Sequence, residues 1–292
     1  MTSILKTENI TKDYGNGKGA LDINLDIKPS EIIGFIGPNG AGKTTTLKMI
    51  TRLIKPNYGK VFLFGKEIKN EQDYLEVARK IGFLPSEGGL YENITAKELF
   101  NYAAALYEVN TKEVQELAVK FKLDLNTKIQ NLSLGNKRKV GIIQSLLHNP
   151  KLLILDEPTS GLDPLIQKEV LTLIQRVKQD GGSILLSSHN LAEVESICDR
   201  TVMIKEGRII FTGKTNEILK KSLRRFRIEN ISNGYLEEIK KLKSVKKTEY
   251  LLDDIIAYVD DIKELLTFLE TKNHYDFYIE RPTLEEAFLE YY

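Results

Sequence analysis

Continuous apolar runs, without polar alternation, mark the first two thirds of the chain. Three of them cover Ile32–Ile36, Leu152–Leu155 and Ile184–Leu186. Such runs are typical of strands that are buried on both faces of a parallel sheet. Helix-compatible stretches lie between and after these runs, at Thr44–Ile54, Leu165–Gln179 and Leu191–Cys198. The alternation of strands and helices predicts an α/β architecture.

Two further parts, an antiparallel edge and a helical region, complete this predicted domain. Ile4–Asn9 and Ala20–Ile27 precede the first run and are typical of short strands at an antiparallel edge. From about residue 95 to 148 the pattern is nearly all helix-compatible and contains no strand candidate. We therefore predict an α/β domain over residues 1–220, with a parallel-sheet core, an antiparallel β edge and a helical insert at about 86–150.

Past about Lys214 the glycines become rarer and the pattern changes. It predicts, in order, strand Arg224–Glu229, helix Tyr235–Leu242, strands Lys246–Leu251 and Ile255–Val259, helix Asp261–Thr271, strand Tyr275–Glu280 and helix Thr283–Tyr291. The order βαββαβ of the first six elements is that of a split, ferredoxin-like unit. The alternative is a loose α+β tail that covers a sheet edge. In both cases residues 221–292 are expected to form a small α+β domain.

Composition and charge indicate which class of protein the sequence belongs to. Of 292 residues, 41% are hydrophobic and 28% are charged, as in an ordinary soluble globular protein. Lys and Arg number 42 against 41 Asp and Glu, so no global field favours nucleic acid or anionic lipid. No apolar run is long enough to span a bilayer, and Met1–Glu8 lacks a signal peptide. The lone cysteine, Cys198, fits a reducing compartment, and together these observations predict a cytoplasmic protein.

The stretch Gly37–Thr44 matches the pattern G-x-x-x-x-G-K-[ST] between an apolar strand and a helix. Glycines let successive backbone N–H groups point at an anion, and the following helix adds its positive end. Lys43 can reach the β- and γ-phosphates, and the Thr44 hydroxyl can hold Mg²⁺. The alternative, a glycine-rich turn that contains a lysine, has a chance frequency of about 1% in a chain of this length. The candidate nucleotide-binding residues are Gly37, Pro38, Asn39, Gly40, Ala41, Gly42, Lys43, Thr44 and Thr45.

Two acids and a histidine follow later apolar runs. Asp156 and Glu157 end one run, where Asp156 can hold the Mg²⁺ shell and Glu157 can orient a water for in-line attack. Alone, this is a strand followed by an acidic turn, but after a phosphate loop the signal is strong. His189 lies one strand further on, where a contact to the γ-phosphate is geometrically sensible. A lone histidine is more often structural, as we expect for His148 and His274.

Two turns supply weaker signals. Ser133 and Gly135 stand at the start of a helix, which provides either an anion-binding end or an ordinary N-cap. The turn Ser160–Pro164 contains Asp163, and its proline begins the next helix.

Taken together, these features resemble the ATP-binding subunit of ABC transporters, over about Ile4 to Lys220. The resemblance implies that Gly37–Thr44 is Walker A, Leu155–Glu157 the end of Walker B, Leu132–Asn136 the signature, Ser160–Asp163 the D-loop and His189 the switch histidine. It also implies that Tyr14 stacks on adenine. Without the resemblance, Tyr14 would pass as a loop tyrosine packed on the sheet.

The chain departs from the family pattern in two places. The signature has Leu134 for its first glycine and Asn136 for its glutamine, but it keeps Ser133 and Gly135. Gly82–Tyr91 resembles the Q-loop, with Ser86 in the place of the metal-binding glutamine. Serine is too short to reach the metal as that amide does, so either Glu87 or a water held by Ser86 would have to substitute.

The resemblance implies an ATPase that uses Mg²⁺ and works as a head-to-tail dimer, either with a second copy or with another ATPase subunit. Each ATP would lie between Walker A of one subunit and Ser133 and Gly135 of the other. The motion would drive a separate transmembrane permease at the inner face of the cell membrane. The ending Arg281–Leu289 resembles that of exporter-type subunits for drugs, antibiotics and sodium, which favours export. We expect no nucleic-acid partner and no direct membrane insertion.

Three other functions remain as alternatives. A soluble ABC-type ATPase could act on DNA or ribosomes, although the sequence has neither a long coiled-coil insert nor a second cassette. A P-loop kinase or GTPase would need an acceptor site or an N-K-x-D base reader, and Asn136–Lys139 lacks the aspartate. The third alternative is a regulatory protein whose nucleotide site is degraded. The intact site residues argue against it, namely Lys43, Asp156, Glu157 and His189.

Overall fold

The protein is described by a computed structural model that covers residues 2–217, 223–229, 233–272, 276–280 and 283–285. The chain divides into two compact units, Met1–Gly213 and Lys214–Tyr292. In the described residues no helix is long and apolar enough to cross a membrane.

Eleven strands and seven α-helices are described up to Lys214. The strands are β1 (Leu5–Gly15), β2 (Lys18–Ile23), β3 (Asp26–Ile27), β4 (Ile32–Ile36), β5 (Tyr58–Leu63), β6 (Lys66–Glu67), β7 (Ile81–Leu84), β8 (Leu152–Asp156), β9 (Ser183–Ser188), β10 (Arg200–Lys205) and β11 (Arg208–Lys214). The helices are α1 (Lys43–Ile50), α2 (Glu71–Ala78), α3 (Ala96–Tyr107), α4 (Lys112–Lys120), α5 (Leu134–Leu146), α6 (Pro164–Gln179) and α7 (Leu191–Ile197).

The core sheet has six strands in the order β11-β10-β4-β9-β8-β7. The five strands from β10 to β7 are mutually parallel. Every residue of β4, β8 and β9 is buried, as their uninterrupted apolar runs predicted. The parallel register sets Ile36 beside Ser188 and Asp156 beside Ser187, so the carboxyl ends of these three strands meet at one edge. The prediction of a parallel-sheet core is confirmed.

A second sheet carries the antiparallel edge that the sequence predicted. Its path is β2-β1-β5-β6, and β3 also pairs with β1. The pairings are antiparallel. Leu5, Ile10 and Val61 of this sheet share one buried apolar cluster with Phe35 of the core sheet. The sequence did not reveal β5, because its first three residues are exposed and leave only a short apolar signal.

The predicted insert is helical, as expected. It contains α3, α4, a short 3-10 turn (Ile129–Asn131) and α5. Thr95 begins α3 with a capping box, in which its hydroxyl accepts from the Glu98 N–H while the Glu98 carboxylate accepts from the Thr95 N–H. The helix after the phosphate loop is shorter than predicted and ends at Ile50. It stops because Arg52 takes a left-handed φ of 58°, which cannot continue an α-helix.

The second unit contains β12 (Arg224–Ile228), a 3-10 turn (Asn233–Tyr235), α8 (Leu236–Lys240), β13 (Val245–Leu251), β14 (Asp254–Val259), α9 (Ile262–Thr271) and β15 (Phe277–Glu280). Its sheet has the order β13-β14-β12-β15 with antiparallel neighbours. Buried residues of α8 and α9, namely Ile239, Leu265 and Leu269, pack with Phe226 of β12. The element order and the strand order are those of a ferredoxin-like unit, as predicted. Most of the predicted helix Thr283–Tyr291 lies outside the described residues.

Candidate functional site

The loop between β4 and α1 has the backbone conformation of an anion-binding loop. Gly40 and Gly42 take φ values of 82° and 107°, which side-chain-bearing residues rarely adopt. Gly42 is the N-cap of α1 and has no side chain that could accept from the first N–H groups of the helix. The first N–H groups of α1 therefore remain available to an external anion at the positive end of the helix.

Lys43 lies across this loop. It is 6% exposed, and its Nζ donates to the carbonyls of Gly37 (2.6 Å) and Pro38 (3.2 Å). The same ammonium lies 3.5 Å from Oε1 of Glu157, which comes from the end of β8. Lys43 is thus a buried charge at the point where the loop and the acidic strand end meet.

Asp156 lies between two hydroxyl groups. Its carboxylate is 1% exposed and accepts from Thr44 Oγ1 (2.7 Å) and Ser187 Oγ (2.5 Å). The pairing of β8 with β9 sets Ser187 beside Asp156. Carboxylate and hydroxyl oxygens are hard donors of the kind that Mg²⁺ prefers, so Thr44 and Asp156 fit such an ion.

Glu157 connects three parts of the site. Its backbone has a left-handed φ of 53°, and its N–H donates to the Ser187 carbonyl (3.2 Å) and hydroxyl (3.0 Å). Its Oε2 lies 2.6 Å from His189 Nδ1 and accepts from the His189 N–H at 3.3 Å. The structure therefore brings Lys43, Thr44, Asp156, Glu157 and His189 together, all at the carboxyl ends of β4, β8 and β9.

Arg138 is a member of this neighbourhood that the sequence analysis missed. It is 8% exposed, and it donates from α5 to the carbonyls of Pro85 (2.6 Å), Ser86 (3.0 Å), Asp156 and Glu157. Burial lowers the pKa of its guanidinium, which still remains charged. The available signal was a cation on the buried face of α5, at helical spacing from the apolar Ile142.

Glu193 is a second residue that the sequence analysis missed. It is 6% exposed on α7, and its carboxylate accepts from Thr159 Oγ1 (2.7 Å) and Asn190 Nδ2 (3.1 Å). Ser188 Oγ lies 3.4 Å from the same carboxylate. Burial raises the pKa of Glu193. This side chain joins the segment after Glu157 to the segment that carries His189.

The turn candidates occupy a different part of the first unit. Ser133 caps α5, where its hydroxyl accepts from the Asn136 N–H at 3.3 Å, and Asp163 caps α6, where it accepts from the Ile166 N–H at 3.1 Å. A Cβ on Gly135 would lie 2.8 Å from the Gly161 carbonyl, so the two turns are in contact. In the described part of the chain, no hydrogen bond joins Ser133, Gly135 or Asp163 to the phosphate loop.

The two remaining candidate residues are Tyr14 and Ser86. Tyr14, near the end of β1, is 57% exposed, and the Lys12 ammonium lies 5.8 Å from its ring centroid. The hairpin of β1 and β2 adjoins the phosphate loop, because a Cβ on Gly42 would lie 2.4 Å from the Gly19 carbonyl. Ser86 contributes its carbonyl to Arg138. Within the described segments, the Ser86 hydroxyl makes no hydrogen bond to Thr44 or Asp156.

Comparison with known proteins decides the family. The ABC transporter profile matches residues 20–160. The bacitracin transport ATP-binding protein BcrA of Bacillus licheniformis is 40% identical over 72% of this chain and 69% of its own length. An uncharacterized ABC transporter ATP-binding protein of Bacillus subtilis, YhaQ, is 32% identical over 98% of both chains. The chain belongs to the ABC transporter ATP-binding proteins.

Solved structures agree with this ABC assignment. An ATP-binding subunit of an ABC transporter is 32% identical, with a TM-score of 0.66 over 74% of this chain and 92% of the other. The ATP-binding cassette MJ0796, solved as a dimer with ADP and Pi in a post-hydrolysis state, is 26% identical with a TM-score of 0.66, over 72% and 98% of the two chains. This ABC protein therefore binds ATP and is an ATPase coupled to transport. The roles of its individual side chains stay predictions.

Proposed function

We propose that this ABC protein is the ATP-hydrolysing subunit of an exporter and energises a separate membrane permease through head-to-tail dimerisation. The observation that carries the proposal is the convergence of five side chains at the ends of three neighbouring parallel strands. They are Lys43, Thr44, Asp156, Glu157 and His189. In open α/β sheets, ligands bind at this edge. The arrangement supplies a cation for phosphate, a metal-binding pair and a candidate general base.

The proposed reaction is attack of water on the γ-phosphorus of ATP. The water oxygen forms a bond to phosphorus, the bond to the β,γ-bridging oxygen breaks, and Glu157 takes the proton from the water. Lys43 neutralises charge on the β- and γ-phosphates, and His189 contacts the γ-phosphate. Because the Glu157 carboxylate contacts both Lys43 and His189, the phosphates would compete with it for these two side chains and free it for the water.

We further propose that Thr44 and Asp156 hold Mg²⁺ with the nucleotide, on the basis of their adjacent oxygen atoms. The ion would neutralise charge on the phosphates. Ser86 is a weaker candidate for this metal site, since only its carbonyl has a described contact near it.

The head-to-tail dimer is supported by the position of the signature segment. Ser133 and Gly135 lie at the N-terminus of α5, and Leu134 between them is 74% exposed. Such a helix end can receive the ATP of a second subunit. The related cassette MJ0796 is a dimer. In this arrangement Asp163 and Tyr14 would complete the nucleotide site, Tyr14 by stacking on adenine.

Export through a permease is supported by relatives and by one exposed surface. One relative is named for bacitracin transport, and another, the linearmycin resistance ATP-binding protein LnrL of Bacillus subtilis, is 30% identical over 98% of this chain and 97% of its own length. On α3, Tyr102 and Leu106 are 60% and 50% exposed and lie one turn apart. A membrane partner could cover this face, which would locate the protein at the inner side of the cell membrane.

We also propose that two parts of the chain have different functions. Residues 1–220 would form the nucleotide-binding domain, with a helical subdomain at about 86–150, and residues 221–292 would form an accessory domain that does not contact ATP. This rests on the described positions of the candidate site residues, all of which belong to the first compact unit.

Mixed subunits test the proposal. Ser133→Arg should disable a subunit as signature donor, and Lys43→Ala should disable its phosphate loop. Each mutant alone should be inactive, but a mixed dimer has one site with both halves native. Recovery of ATPase activity on mixing is expected. Activity no greater than the sum of the two mutants, with mixed dimers shown to form, would contradict the head-to-tail site.

A further inference from the structure

Arg138 makes contacts that none of the proposed catalytic roles uses. Its Nη1 donates to the carbonyls of two residues after β7, and its Nη2 donates to the carbonyls of two residues at the end of β8. The four acceptors are Pro85, Ser86, Asp156 and Glu157. Strands β7 and β8 are parallel neighbours, so a single side chain can reach both segments.

A guanidinium is the side-chain group that suits this position. It is planar and always charged, and its five N–H donors form a rigid fork, whereas lysine offers a compact charge on a flexible stem. Because all four acceptors belong to the main chain, Arg138 fixes the path of two loops and does not depend on the side chains there. The Ser86 contact in particular is independent of the serine hydroxyl.

The backbone of Glu157 needs such support. Its φ of 53° lies in the left-handed region, which is unfavourable for a residue with a Cβ. The Ser187 carbonyl and hydroxyl hold the N–H of Glu157, and Arg138 holds its carbonyl. Contacts on both sides therefore maintain a conformation that the isolated chain would avoid. This backbone conformation sets the direction of the Glu157 Cα–Cβ bond, from which the carboxylate extends.

We infer that Arg138 is a positioning residue for hydrolysis, which aims the Glu157 carboxylate at the attacking water by holding the main chain at Glu157. The inference rests on the proposed function, in which Glu157 accepts the proton of that water. Arg138 acts within its own subunit. Since Ser133 is the N-cap of α5, one helix would then contribute to two sites of the proposed dimer. In that dimer the N-terminus of α5 would face the partner's ATP, while Arg138 holds the main chain at the subunit's own Glu157.

The first test separates turnover from binding. Arg138→Gln should lower kcat on the order of 10²-fold, as expected for a misplaced catalytic group, while the Kd for ATP changes less than about threefold. Arg176→Gln is the matched control, since Arg176 is exposed on α6 and, within the described residues, its ion pair is with Asp180 at 3.8 Å; this variant should retain wild-type kcat. If circular dichroism shows that Arg138→Gln does not fold, Arg138→Lys, which keeps the charge but lacks the fork, is measured instead, with the same direction expected. An unchanged kcat in a folded variant would overturn the inference.

A double mutant asks whether Arg138 acts through Glu157. In a Glu157→Gln background the aimed carboxylate is gone, so adding Arg138→Gln should reduce the residual turnover only about twofold or less. A merely structural role would lower the residual turnover by the same factor as in the wild type. Full additivity of the two losses would therefore refute a positioning role.

Mixed dimers identify the subunit in which Arg138 acts. The working site of a Ser133→Arg and Lys43→Ala pair uses Glu157 of the Ser133→Arg subunit. Arg138→Gln should lower the restored activity on the order of 10²-fold when placed in that subunit, and it should have a much smaller effect in its Lys43→Ala partner. The opposite pattern would overturn the inference. If mixing restores no activity at all, the head-to-tail proposal fails, while the kcat and double-mutant results still decide the role of Arg138.

Discussion

Gly40 and Gly42 of the phosphate loop offer a matched pair for testing how the loop is held. Both have positive φ, at 82° and 107°, so alanine is conformationally unfavourable at both positions. Their surroundings differ. A Cβ on Gly40 meets nothing within 4 Å, whereas a Cβ on Gly42 would lie 2.4 Å from the Gly19 carbonyl oxygen and 3.2 Å from Ile204 Cδ1. The pair therefore separates backbone strain from steric conflict.

The expected losses of stability follow from the backbone strain and the steric conflict. The left-handed conformation costs alanine about 1–2 kcal/mol, and a gain of about 0.4–1 kcal/mol from the stiffer unfolded chain offsets part of it. Gly40→Ala should therefore lose about 1 kcal/mol of stability. Gly42→Ala adds a steric conflict with backbone, of the kind that costs about 1–3 kcal/mol when a packed region is overfilled. Its total loss should be about 2–4 kcal/mol.

The assay is urea unfolding of the full chain by circular dichroism, together with ATP affinity by calorimetry. Gly42→Ala should be the less stable variant, and it should also bind ATP at least about tenfold more weakly, because the start of α1 must shift away from Gly19. Gly40→Ala should lose less on both measurements. Equal losses in the two variants, or a larger loss for Gly40→Ala, would refute the contact between the loop and Gly19.

Three further predictions concern single side chains. Glu157→Gln should bind ATP but turn over about 10²–10⁴-fold more slowly, and ATP should trap a dimer on size exclusion; wild-type turnover would exclude Glu157 as the base. Lys43→Ala should weaken ATP binding by about 1.5–3 kcal/mol in calorimetry, whereas Lys48→Ala on the same helix should not; equal affinities would contradict the phosphate contact. Burial lowers the pKa of His148 below its usual 6.5. The free energy of unfolding should therefore be highest above about pH 6.5 and decrease as the pH falls below that value. His148→Gln should flatten that pH dependence in thermal melts, and an unchanged slope would count against it.

The direction of the His148 effect has a geometric basis. Its Nε2 lies 3.0 Å from the Ile81 carbonyl and must donate to it, while its buried Nδ1 has no hydrogen-bond partner among the described residues. A second proton on the ring would therefore add a buried N–H with no acceptor. The ring also stacks on Tyr107, with centroids 4.2 Å apart, so it joins the end of α5 to α3 and β7. This agrees with the structural role that the sequence suggested for His148.

The sequence predicted the core of the fold because uninterrupted apolar runs are a strong local signal. The runs at β4, β8 and β9 are all fully buried, and the polar residues that follow them meet at one sheet edge because parallel strands share their direction. Adjacency in the sheet is a property of topology, however, and the sequence could not supply it. The contact of Ser187 with Asp156 across the β8–β9 pair is one example.

Other parts of the fold and site gave too weak a signal in the sequence to be predicted. Strand β5 alternates poorly, and only Val61 and Leu63 of its six residues are buried. Helix α2 buries only Val77 and depends instead on its capping box, in which Asn70 and Asp73 satisfy each other's backbone N–H groups. Arg138 and Glu193 were missed for another reason. A charged residue in a helix is normally taken as solvated, and burial becomes evident only once its partners, distant in sequence, are in place.

The buried Arg138 explains how the acidic end of β8 is held. Asp156 and Glu157 each extend a carboxylate toward the phosphate loop. Arg138 donates to both of their carbonyls, and the Ser187 hydroxyl accepts from the Glu157 N–H. A buried, unpartnered guanidinium would cost several kcal/mol, so Arg138 and the four carbonyls stabilise one another only in this arrangement. Both the catalytic geometry and the packing of α5 against the sheet then depend on the same contacts. A change that loosens α5 should therefore lower turnover before it lowers ATP affinity, because the phosphate loop is held by separate contacts at Gly19 and Gly207.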